Sequence, residues 1–188
     1  MNSFLDENEL QDLGFNSIGE NVRISRKASI YGARNIEIGN NVRIDDFCIL
    51  SGKITIENNI HIAAYSALYG SDVGIRIEDF ANISSRVCVY AISDDYSGNT
   101  MTNPTVPDKY KNLEKAPIII GNHVIVGTGS TILPGVYLKI GTAIGAMSLV
   151  RKSTEPWKIY AGIPAKPIKD RSQKLLELER CYLEDGIE

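Results

Sequence analysis

The stretch IGNHVIVGTGSTILPGVYLKIGTAIGAMSLV (120–150) carries an aliphatic residue at every sixth position: Ile120, Val126, Ile132, Leu138, Ile144 and Val150. Four residues after these stand smaller or β-branched side chains, Val124, Ser130, Val136, Thr142 and Ser148. The same two registers extend toward the N-terminus. Ile18, Ile24 and Ile30 are followed by Ile38, Ile44 and Leu50, then Ile56, Ile62 and Leu68, then Ile77, Ile83 and Val89. A period of six fits neither an amphipathic helix nor an alternating hairpin strand. It fits a coil with three flat faces, each a short strand that turns a corner after six residues. The phase slips by two after Ile30, by three after Leu68 and by 25 after Val89. Each slip follows a third position, so all insertions leave from one corner of a triangular prism. The pattern predicts an all-β parallel β-helix of about six coils. Gly19, Gly39, Gly121, Gly127 and Gly145, directly after the aliphatics, are expected to supply corner dihedrals that other residues resist.

The flanks divide the chain into an N-terminal cap (1–17), the coil (18–155) with a long loop (90–117), and a tail with a helix (156–188). DENELQDLGF predicts a short helix ending near Gly14. SQKLLELERCYLE (172–184) predicts a second, whose Leu175, Leu176, Leu178 and Tyr182 would cover the coil end or a neighbouring subunit. The loop, YAISDDYSGNTMTNPTVPDKYKNLEKAP, is long enough to imply function.

With 188 residues, the chain suits one domain with a sizeable core. No 18-residue apolar run is present, so no membrane span is expected. MNSFLDENELQDLGF has neither the basic start nor the apolar segment of a secretory signal. Cys48, Cys88 and Cys181 lie far apart, which suits a reducing, cytoplasmic setting and no metal site. A net charge of -3 argues against nucleic acid. Charge is uneven, however: residues 139–174 hold eight Lys/Arg against two acids, +6, which leaves -9 for the rest. A basic patch on an acidic protein suits a phosphorylated small ligand; the alternative is a solvated face.

The repeat, the loop at one corner and the ending IGAMSLVRKSTEPWKIYAGIPAKPIKDR together resemble the hexapeptide-repeat acyltransferases over nearly the whole chain. That resemblance implies a left-handed β-helix, a homotrimer, and acyl-CoA (acetyl-CoA first) in a cleft between adjacent subunits. It places Thr128 and Ala146 on the pantetheine arm, Arg151 and Lys152 near the adenine end, and Lys166 and Lys169 on the phosphates. The alternative for Thr128 and Ala146 is that the coil simply needs small residues there.

Family members that acetylate sugar hydroxyls place a histidine in or beside the long loop, and this loop has none. His61 and His123 fall at outward positions of their hexads, where a structural role is expected. Two histidines also fall short of a three-His zinc site. VRIDDFCILSG, ANISSRV, DDYSG, TNPTVP and KLLELE resemble a narrower group, the N-acyltransferases of nucleotide-linked amino-dideoxysugars of the viosamine and anthrose type. The resemblance assigns catalysis to Asp94 and Ser84. The implied acceptor is an amine such as that of dTDP-4-amino-4,6-dideoxyglucose, for surface-glycan synthesis such as O-antigen. A hydroxyl needs a strong base as it attacks a thioester, whereas an amine needs only a group to hold and take its proton. Asp95, Tyr90, Asp45 and Asp46 are expected to bind substrate, with Tyr65, Tyr69 and Arg43 as further pocket residues. The alternatives are a sugar O-acetyltransferase, which would need His61 or His123, and a non-enzymatic scaffold.

Overall fold

The structure, a computed structural model, describes residues 3–185. The aliphatic series resolves into three parallel ladders. The first face stacks Ile18, Ile38, Ile56, Ile77, Ile120 and Leu138. The second stacks Ile24, Ile44, Ile62, Ile83, Val126 and Ile144, then adds Tyr160. The third stacks Ile30, Leu50, Leu68, Val89, Ile132 and Val150. Leu50, Ile62, Leu68, Ile83 and Val89 have no exposed surface, and each contributes about 1.5–3 kcal/mol by leaving water. The smaller register is inward too. Its hydroxyls are satisfied locally: Ser66 donates to the Ser84 carbonyl (2.9 Å) and Ser130 to the Gly145 carbonyl (3.0 Å).

All three insertions leave between the third and first faces. They are the 3-10 turn Ala33–Asn35, an irregularity in the long strand Ala67–Ile77, and the loop that follows the strand Cys88–Tyr90. The glycines correct the expectation made for them. Gly19, Gly39, Gly121, Gly127 and Gly145 are absent from the positive-φ positions. They permit close approach between coils instead: a Cβ on Gly127 would lie 2.5 Å from the Ala146 nitrogen. The left-handed corners are held mostly by other residues. Asn21, Asn41, Asn59, Phe80, His123 and Trp157 line the corner between the first and second faces, and Phe47, Tyr65, Arg86 and Met147 line the next.

Both ends are covered. Helix α1 (Glu7–Asp12) begins with a capping box between Asp6 and Glu9 and packs Leu10 on the core. At the other end the second face continues past Glu155 into an antiparallel hairpin, Lys158–Gly162 against Ala165–Asp170. Helix α2 (Leu175–Asp185) does not cap the coil end. It lies along the first corner, where Tyr182 donates to Asn59 (3.2 Å) and meets Phe80 edge-on, and Glu179 reaches His123 (3.1 Å). No described helix is long and apolar enough to cross a membrane.

Since each coil is the floor of the next, Leu50→Ala should lower unfolding free energy by about 2–5 kcal/mol with no loss of cooperativity. Urea denaturation followed by circular dichroism measures it.

Candidate active site

The loop is anchored where its two ends pair, Ile92–Ser93 against Glu114–Lys115. Within it, Asp95 accepts from the Ser97 N–H (2.8 Å) and the Thr100 hydroxyl (2.8 Å). Those bonds hold its carboxyl below the ordinary value and order the SDDYSGNT turn. Asp94 is engaged more lightly. Its Oδ1 accepts from the Asn103 N–H at 3.3 Å, and its Oδ2 has no hydrogen-bond partner among the described residues. Asp94 lines an open cleft of about 500 Å³ with Tyr69, Tyr90, Ile92, Lys111 and Leu113. Tyr69 and Tyr90 stack at 5.0 Å. Burial, then Cys88 and Tyr69, push the Tyr90 hydroxyl above its ordinary value, which leaves it a donor at neutral pH. Tyr69 and Tyr90 are paired by the coil repeat, whereas Lys111 carries no sequence signal that marks it for this cleft.

Ser84 lies elsewhere. It follows Ile83 at the end of the second face, while Asp94 follows the third face, and Ser84 does not line the cleft. Residues 85–90 cross the third face between them, a path of up to ~20 Å at ~3.3 Å per residue. Within one chain the two do not meet. The Ser84 hydroxyl has no hydrogen-bond partner among the described residues.

The Ser84 corner continues upward as a shallow, small-residue edge. Gly127 and Thr128 lie one coil above, Gly145 and Ala146 one further. Thr128 and Ala146 are exposed, and their backbone N–H groups have no partner among the described residues. The Thr128 hydroxyl is used internally, donating to the Ser85 carbonyl (2.7 Å). Lys166 pairs with Ala161, against which Gly145 packs, so it stands just beyond this edge. Lys169 pairs with Ile159, further out on the second face. Arg151 and Lys152 follow Val150 and so stand across the third face, on the loop's corner. These four cations are exposed and make no ion pair among the described residues. Other members of the basic stretch have structural work: Lys158 pairs with Asp170 (3.0 Å), and Arg171 donates to the carbonyls of His123 (2.7 Å) and Gly141 (3.1 Å).

Asp45 and Asp46 have internal partners instead of a place in the cleft. Asp45 accepts from Arg43 (2.7 Å) and meets His61 (2.8 Å), and Asp46 accepts from Ser25 and Lys27. Both sit two coils below Ser84. Tyr65 stacks on Phe47 at the same corner, and Arg43 covers Phe4. His61 is held between Asp45 and Asn82, and His123 between Phe80 and Glu179, so neither histidine lines the Asp94 cleft. The Cys48 thiol is pushed up to about 11 by burial, which makes it a poor nucleophile. Among the described residues no three His, Cys, Asp or Glu converge as a metal site.

No protein-family model matches the chain. The dTDP-4-amino-4,6-dideoxy-D-glucose acyltransferase of Escherichia coli is 53% identical over 188 residues, 98% of this chain and 97% of that protein. The N-acyltransferase AntD from Bacillus cereus, solved in complex with dTDP and 3-hydroxybutyryl-CoA, superposes with a TM-score of 0.98 at 54% identity, covering 100% of both chains. A variant of AntD in complex with dTDP-4-amino-4,6-dideoxyglucose and coenzyme A gives a TM-score of 0.96 at 55% identity, with 98% of this chain and 99% of that one covered.

The Asp45 cluster has a pH signature separate from the cleft. Burial raises the Asp45 carboxyl, but hydrogen bonds from His61 and Arg43 outweigh it and leave the folded value below the ordinary 3.8. A lowered carboxyl stabilises above its unfolded value, and that stabilisation disappears as pH falls through the folded value. Asp45→Asn should therefore melt below wild type at neutral pH, and the gap should close as pH drops beneath 3.8. Paired thermal melts across that range check it.

Proposed function

The chain belongs to the hexapeptide-repeat acyltransferases, in the branch that acylates nucleotide-linked amino-dideoxysugars, and from that premise we propose how its own residues divide the work. The reaction is transfer of an acyl group from acyl-CoA to the amine of a dTDP-linked 4-amino-4,6-dideoxysugar. One observation carries the assignment of residues: an Asp94 carboxylate oxygen with no partner among the described residues faces a cleft on one corner of the prism, while the small-residue edge, with N–H groups open among the described residues, runs along another.

Both corners are ordered alike along the prism. Ser84 is level with the fourth coil and the loop leaves from the same level; Thr128 and Ala146 rise one and two coils above, and Lys166 lies beyond. Arg151 and Lys152 stand at the level of the sixth coil, above the loop. If subunits pack side by side around a threefold axis, the loop corner of one faces the small-residue corner of the next at matching heights. The thioester then lies between Ser84 of one chain and Asp94 of its neighbour. The pantetheine arm follows Thr128 and Ala146, and Arg151, Lys152, Lys166 and Lys169 collect the phosphates some 10–14 Å further up, at ~4.8 Å per coil. Tyr90 contributes to the sugar wall. Asp45 and Asp46 are left out of this cleft, and Asp95 acts by ordering the loop.

The neutral amine attacks the thioester carbonyl, and a C–N bond forms as the carbonyl oxygen takes up charge. Backbone N–H groups are suited to hold that oxyanion. Asp94 accepts the proton that the nitrogen must lose, the C–S bond breaks, and the CoA thiolate leaves and is protonated. A cytoplasmic enzyme upstream of surface-glycan assembly is the setting that suits CoA and nucleotide-sugar substrates.

Free-thiol release with dTDP-4-amino-4,6-dideoxyglucose and either acetyl-CoA or 3-hydroxybutyryl-CoA should show turnover; none with either donor would overturn the reaction. Asp94→Asn should lower kcat by about 10²–10⁴ with CoA affinity retained. Near-normal turnover at saturation would remove Asp94 from proton transfer.

The shared site has its own test. Homotrimers of Asp94→Ala and of Ala146→Trp should both be inactive. In randomly mixed trimers an intact site needs Asp94 from one chain and Ala146 from the next, so activity should return to about a quarter of wild type. No recovery on co-refolding would place the whole site within one chain.

A further inference from the structure

Lys111 has no part in the reading above. It follows the 3-10 turn Asp108–Tyr110 and is held by a backbone bridge to Met101. Its side chain is only 8% exposed, yet the carboxylate it meets at 2.9 Å, Asp108, belongs to a side chain 96% exposed. A lysine covered to that degree has lost most of its hydration, so an anion beside it matters more than it would to a surface lysine. The anion it has stands in bulk water, the kind of partner that binds weakly and is screened. Asp108 can be solvated without Lys111, but Lys111 is poorly solvated without an anion. The side chain also lines the cleft that holds Asp94.

The cleft therefore offers a carboxylate, an ammonium, and an apolar wall of Tyr69, Tyr90, Ile92 and Leu113. A nucleotide-linked amino-6-deoxysugar carries the complement of all three. It has an amine on the ring, a diphosphate at the anomeric carbon and a methyl group in place of a hydroxymethyl. We infer that Lys111 receives the sugar-proximal phosphate of the nucleotide sugar, exchanging Asp108 for it, and with Asp94 fixes which end of the sugar meets the thioester. This rests on the function proposed above and adds a positioning residue to it. The CoA phosphates are served by a different set, because Arg151 and Lys152 stand two coils higher on the same corner.

The test is Lys111→Met, which keeps the covered stem and removes the charge. The KM for dTDP-4-amino-4,6-dideoxyglucose should rise about tenfold or more, as expected for loss of a charge-assisted bond. Meanwhile kcat and the KM for acyl-CoA should stay within about twofold, which separates binding from chemistry. Binding of dTDP by calorimetry should weaken in parallel, and Lys111→Arg should recover most of both. An unchanged KM with unchanged dTDP binding would overturn the inference. So would a loss shared equally by kcat, acyl-CoA and melting temperature that Arg does not rescue, since that marks a purely structural lysine. Wild-type enzyme without turnover on this sugar would instead sink the proposed reaction.

Discussion

The interior of the prism accepts one large aliphatic and one smaller side chain per face, and each coil must rest on the last at strand spacing. That constraint fixes the register of everything outside. Because successive coils repeat the same six positions, equivalent outward residues stack into straight columns. Asn21 donates to Asn41 (2.8 Å) and Asn41 to Asn59 (3.2 Å) along one corner. Phe47 and Tyr65 stack at 4.9 Å along the next. A change of one residue in register would turn the aliphatic column outward and scatter all of these. The functional surfaces are therefore columns as well, and their order along the axis is set by the core.

The same constraint separates the chemistry. Insertions can leave only where they do not interrupt the inward register, and in this chain that is the corner after the third face. Gly127 and Gly145 permit close coil-to-coil approach on the corner after the second, as Gly19, Gly39 and Gly121 do after the first. A single prism cannot bring two of its corners together, since the body of the third face stands between them. The polar loop and the edge with open backbone N–H groups therefore stay apart within one chain, and the assembly proposed above would join them.

How much of this could be read from residues alone follows from what each feature depends on. The ladders were legible because burial acts at every sixth position and repeats many times. The corner that carries the loop was legible because a slip in phase records where the chain departs. Asp94 was singled out by the family resemblance, since nothing in the loop itself sets it apart from Asp95 or Asp108. The seventh rung was not legible, because Tyr160 stands 10 residues after Val150, outside the period, and is placed by a hairpin whose turn at Pro164 has no counterpart in the repeat. The place of α2 was illegible for a similar reason: it is chosen by Phe80, His123 and Asn59, which read as variable outward positions. The internal partners of Asp45 and Asp46, which are Arg43, His61, Ser25 and Lys27, were not visible because they come together only through stacking. The glycines misled because a missing Cβ serves close approach as well as unusual dihedrals, and sequence does not tell the two uses apart.

With Asp94 in the role proposed for it, a carboxylate in place of a histidine is chemically coherent in this cleft. An amine attacks only when neutral, and a nearby anion by itself would favour its protonated form. The apolar wall of the Tyr69–Tyr90 stack, Ile92 and Leu113 opposes that, because it disfavours any unpaired charge. Once the C–N bond forms, the nitrogen becomes cationic whatever its surroundings, and only then does Asp94 have a full charge to meet. The carboxylate is thereby matched to the transition state more than to the bound substrate, which is the condition for accelerating the chemical step. A hydroxyl is a much weaker nucleophile than a neutral amine and must lose its proton as it attacks, and a carboxylate such as Asp94 is too weak a base to help it at the start. In the proposed mechanism the preference for an amine thus follows from the balance between Asp94 and its apolar wall.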